Sequence, residues 1–255
     1  MKQVFTIAKY TFLEILKSKI LVNILMLGFA LFCVTFVAYQ FTYGEPEKIA
    51  LDFGLGALSV SSVGIALFFG VNLLAKEIES RTVYMIISRP IERYQFYFGK
   101  IIGLICILSL NVLILSVLTL SVYFFVGGSY ANLLLWSIFF IMIEAVVVLL
   151  VVSTLTLLTT STLSIMLSIG VYISGHAIPA ATETSFVKNS VILKYIIDIY
   201  HFLLPGFYKF NIKNFVLYKQ DLDTPYIISV LVYGILYMCF LIGIGIFIFN
   251  RKSLD

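Results

Sequence analysis

Six stretches of this chain run for about 20 residues each with scarcely a charge, the length an α-helix needs to cross a ~30 Å hydrocarbon layer. They are Ile20–Phe41, Ile49–Leu74, Ile101–Val126, Leu133–Leu158, Ser161–Ile178 and Tyr226–Phe249. Their apolar residues run on without alternation, so helices fit them and barrel strands do not. Composition agrees. A soluble chain carries about a quarter charged residues, whereas this one has 12% charged and 61% hydrophobic among 255 residues, with a mean hydropathy of +1.08. The expectation is an all-α membrane protein with six transmembrane helices, read as one membrane domain over residues 1–255.

An even number of spans puts both termini on one side. Eleven of the 17 lysines and arginines, and every arginine, fall on that side. The positive-inside rule then makes it cytoplasmic. The first apolar run is too long for a cleavable signal, and no small-residue cleavage site follows it. Cys33, Cys106 and Cys239 lie inside predicted spans, without zinc-site spacing and without a place for a disulfide; they read as buried small apolar residues. No metal site is expected. The net charge of +4 suits a face near anionic lipid, and no basic module points to nucleic acid.

Residues 1–19 precede the first span. Val4, Phe5, Ala8, Phe12, Ile15 and Leu16 recur at helical spacing, while Lys2, Thr6, Lys9 and Lys17 take another face. This pattern predicts an amphipathic helix on the cytoplasmic interface; an extension of the first span is the alternative. Residues 179–225 form an extracytoplasmic or re-entrant region. Within it "SVILKYIIDIYHFLLPG" sets Ser190, Lys194, Asp198 and His201 on one helical stripe, with Pro205-Gly206 ending the helix. His201 reads either as a ligand or as a solvated side chain.

The segment Lys76–Lys100, "KEIESRTVYMIISRPIERYQFYFGK", crowds both signs of charge between the second and third spans. It is too long for a simple helical turn. Pro90 suits a helix start, Glu92 its first turn, and Arg89 a corner before the proline. "TVYMII" is an apolar strip that needs a cover. A solvated anchor and a docking segment are both open on these residues alone.

"KEIESRTVYMIISRPIERYQFYFGKIIG" resembles the hallmark loop of ABC-2-type transporter permeases. "AKYTFLEILKSKIL", "YHFLLPGFYKFNIKN" and "FNRKSLD" resemble that family's interfacial N-terminal helix, the segment before its last span and its basic tail. The likeness covers nearly the whole chain and comes nearest to the NosY-like branch tied to multi-copper enzyme maturation. Arg81 stands where many broader members have glycine, which weakens an assignment to the polysaccharide or drug branches.

The resemblance implies a cytoplasmic coupling helix between spans 2 and 3 that docks on a separate ATP-binding cassette subunit. Glu77, Glu79, Arg81, Thr82, Arg89, Pro90, Glu92 and Arg93 would set register there, and Val83, Tyr84, Met85 and Ile86 would supply buried area. It implies a permease subunit rather than an enzyme, an exporter in a bacterial or archaeal plasma membrane, in a homodimer with two ATPase copies, membrane lipids and an optional periplasmic accessory protein. ATP and Mg²⁺ would sit on the ATPase, and no cofactor on this chain. Consistently, Gly99-Lys100 is followed by isoleucine, so the chain has no phosphate-cradling loop.

Two polar residues fall deep within spans. Asn111 and Glu144 lie at depths differing by about 6 Å, counted at ~1.5 Å per residue from the same side. If the third and fourth spans pack together, the two side chains can pair. Glu144, expensive in hydrocarbon, reads as a conduit residue or as part of a structural hydrogen bond. Met26, Met142, Met166 and Met238 occupy different spans without metal-binding spacing and read as packing or lipid contacts. The rival from another class is a membrane-embedded enzyme using Glu144, His176 or His201, but no hydrolase or metalloprotease motif supports it. A membrane assembly factor without transport is a third reading. Within transporters, lipid, peptide and drug export remain alternatives.

Overall fold

The computed structural model describes residues 2–17, 26, 28–30, 33–34, 36–37, 40, 45–79, 92–184, 188, 190, 192, 195, 197, 200 and 204–251, with backbone only for 72–79. The described residues are helical and contain no strand. The helices are α1 (Lys2–Lys17), α2 (Pro46–Glu79), α3 (Arg93–Phe125), α4 (Asn132–Leu158), α5 (Ser161–Glu183), α6 (Lys213–Leu217) and α7 (Thr224–Arg251), with a 3-10 turn at Phe207–Phe210 before α6. Five of them, α2 to α5 and α7, are long and apolar enough to cross a membrane. The protein is therefore a multi-pass membrane protein. The expected span at Ile20–Phe41 lies mostly outside the described residues.

The apolar runs set these helices, and the helices outlast them. α2 continues from the apolar run into the charged sequence at Lys76–Glu79. α3 begins at Arg93, so Glu92 is its N-cap and not a first-turn residue. The Glu92 carbonyl accepts the first helical bonds, from Gln95 N at 3.0 Å and Phe96 N at 3.3 Å. α5 passes through Pro179 and ends at Glu183, five residues beyond the expected Ile178. Pro179 lacks the N–H that would donate to the Gly175 carbonyl, and the helix runs on for one more turn.

α4 is the spine of the bundle. It packs against α2, α3, α5, α6, α7 and the 3-10 turn, and its residues Ala145 to Val152 are all buried. A helix apolar all round suits a position with neighbours on every side. α5 and α7 lie at the periphery, and Met166, Ile173, Leu236 and Phe247 point outward. Cys33, Cys106 and Cys239 are also exposed and free, which corrects the expectation of buried thiols; an apolar thiol is as content against lipid as in a core. Met26 and Met166 face outward as well.

α1 runs lengthwise along the first half of α3. A Cβ at Gly99 would lie 2.9 Å from Ile7 Cβ and 3.0 Å from the Val4 carbonyl. One at Gly103 would lie 2.7 Å from Thr11 Cβ and 2.8 Å from the Ala8 carbonyl. The contacts advance four residues for four, so the two helices run parallel, and only glycine lets the backbones come this close. Thr11 is buried, whereas Phe5 is 74% exposed. Ala8 and Ile15 of the expected apolar face are buried, and Phe12 and Leu16 pack on the core.

Candidate functional site

The polar interior is built on α4 and α5. These helices are joined tightly at Thr159 and Thr160, so residues equally far from the joint meet. Thr156 Oγ1 donates to Ser164 Oγ at 3.1 Å near the joint. Further along, Glu144 Oε1 lies 2.8 Å from His176 Nε2. A carboxylate only accepts, so Nε2 carries the bonding hydrogen. The Glu144 side chain is 3% exposed and the His176 side chain 26%.

Aromatic rings hold the imidazole. Tyr172, one turn earlier on α5, meets it edge-on at 4.8 Å, and Phe207 stacks on it at 6.0 Å. Phe207 reaches this position because Gly175 leaves room: a Cβ there would stand 2.5 Å from the Pro205 carbonyl. Gly206 N donates to Tyr233 Oη at 2.9 Å and ties the same segment to α7. Tyr172 also lies in interaction range of Glu144 and of Ser59 on α2.

A cavity of about 160 Å³ adjoins the carboxylate. Glu144, Ser137 and Ser59 give it polar walls, and Asn211 and Lys213 close it from the segment around the 3-10 turn. Leu55, Val60, Ile141, Phe210 and Ile212 make the remainder apolar. Lys213 Nζ is 2.6 Å from Asp52 Oδ1, and Lys219 Nζ is 3.4 Å from Glu47 Oε1. These two ion pairs fasten α6 and the turn after it to the start of α2. Nearby, Lys209 Nζ lies 4.2 Å from the centre of the Tyr233 ring, and burial lowers its affinity for a proton below the usual lysine value.

Asn111 does not pair with Glu144. It is fully buried on α3, and neither its Oδ1 nor its Nδ2 has a hydrogen-bond partner among the described residues. Ser62 Oγ on α2 is in the same condition. Gly54 meets Thr119 across α2 and α3, and Gly70 meets Val152 across α2 and α4. Carried along the helices, these contacts bring Ser62 level with both Asn111 and Glu144. The depth estimate is therefore sound, but the two side chains belong to different seams of the bundle.

Of the hairpin residues, Glu77 and Glu79 end α2, Glu92 is exposed, and Arg93 Nη1 is 3.5 Å from the Asn250 carbonyl of α7. Arg81, Thr82, Val83, Tyr84, Met85, Ile86, Arg89 and Pro90 lie outside the described residues, as do Lys194, Asp198 and His201. No group of three or more His, Cys, Asp or Glu able to hold a metal occurs among the described residues. The chain matches no protein-family model and no curated protein.

Proposed function

We propose that this chain is the transmembrane permease subunit of an ABC-2-type transporter, an exporter that moves its substrate across the plasma membrane at the expense of ATP hydrolysed on a separate chain. One observation carries the reading: a charged hairpin with the grammar of a coupling segment joins two spans that both run past their apolar stretch to reach it. The end of α2 and the start of α3 supply Glu77, Glu79, Glu92 and Arg93, and the Arg93–Asn250 contact brings the end of α7 alongside. Long helices are levers: a push at the ends of α2 and α3 reaches the middle of the bundle.

Two ATPase subunits would grip the hairpins of a homodimer from the cytoplasm. ATP-driven closure would rock α2 and α3 against α4, and the cavity beside Glu144, on the opposite side, would lie on the exit route. The likeness to the NosY-like branch favours a cargo for metalloenzyme maturation, involving copper or sulfur. The reading is tested by charge reversal: Glu79→Lys or Arg81→Glu should abolish transport and weaken ATPase association while the permease stays folded. Transport and association that both survive these changes would refute the coupling role.

A further inference from the structure

The charges around the cavity do not balance. Among the described residues that line it, Glu144 and Lys213 are the charged ones. Lys213 is matched by Asp52 at 2.6 Å. Glu144 meets His176, which brings a hydrogen bond but no permanent positive charge. A carboxylate deep in a span needs a cation or water to be tolerated. Tyr172 also reaches Glu144 and Ser59, and the carboxylate adjoins a cavity that offers the hydroxyls of Ser59 and Ser137.

We propose that this cavity binds a small primary alkylammonium group. An ammonium has three N–H donors, and the carboxylate and two hydroxyls supply acceptors for all three, the charged contact being the strongest. The volume of about 160 Å³ is more than a bare ion uses. Leu55, Ile141 and Phe210 offer the apolar wall that a short alkyl chain would cover. His176 is a positioning residue: by holding Oε1 it fixes the carboxylate plane toward the cavity. The inference needs only the membrane-embedded fold and stands apart from the permease reading.

The test is calorimetric titration of propylammonium into the purified full chain in detergent, with the melting temperature followed in parallel. Propanol, sodium chloride and potassium chloride serve as comparisons. Saturable one-to-one binding and a raised melting temperature are expected for propylammonium alone, and both should vanish in Glu144→Gln. Ser137→Leu fills the cavity without touching the Glu144–His176 bond and should also abolish binding, which keeps the test decisive if Glu144→Gln does not fold. No saturable binding to the unaltered chain, an equal response to sodium or potassium, or undiminished binding in Ser137→Leu would overturn the proposal. No ATPase is present in this experiment, so its failure and that of the permease reading are separable.

Discussion

Glu144 and Asn111 occupy the same depth of one bundle, and each is a strongly polar side chain buried from solvent, yet they live under opposite conditions. Glu144 has a partner at 2.8 Å and a cavity beside it. Asn111 has no partner among the described residues for either end of its amide. Leaving a buried polar group unsatisfied costs about 1–3 kcal/mol, so the first site is a supported arrangement and the second a standing cost. The contrast separates a site built to be used from a polar group whose removal should relieve the fold.

The largest expected effect is all or none. With the three native cysteines replaced by serine, Ser59→Cys beside the cavity should react with a small water-soluble thiol reagent, and Ser62→Cys should not. Equal labelling of both would erase the distinction between an open and a sealed site. Next, His176→Leu removes the donor that holds Glu144. Stranding a buried charged partner costs about 3 kcal/mol, which should appear as a clear fall in the melting temperature in detergent; an unchanged melting temperature would mean that the pair supports nothing. Asn111→Leu should act in the other direction and stabilise by about 1–2 kcal/mol, with transport intact. Destabilisation there would show that Asn111 has work its surroundings do not reveal. The smallest effect belongs to Ser62→Ala, about 0.5–1 kcal/mol stabilising, read from the same melting curves.

Depth was legible in the sequence and azimuth was not. Counting residues at ~1.5 Å each sets Asn111 within about 6 Å of the depth of Glu144, and the apolar runs locate α2 to α5 and α7 to within a few residues at most ends. The direction in which a side chain leaves its helix depends on how neighbours pack. α4 is apolar on every face, so its own pattern gives no azimuth for Glu144. The usable signal was the tight joint at Thr159-Thr160, which sends Glu144 to His176 by simple equidistance. Phe207 behind the imidazole was not readable, because it arrives through a non-helical segment across Gly175. α1 shows the same limit. Its amphipathic pattern is real, but a pattern does not say whether a membrane surface or another helix covers the apolar face. Gly99 and Gly103 on α3 mark where α1 comes close, which the pattern of α1 alone does not show.

The claim that a separate ATP-burning subunit grips this chain is tested most directly by purifying the full-length protein from its native membrane in mild detergent and identifying what comes with it. An ATP-binding cassette ATPase in one-to-one ratio with the permease, released by Arg81→Glu, is the expected result. A pure assembly of this chain without any nucleotide-binding subunit would contradict it.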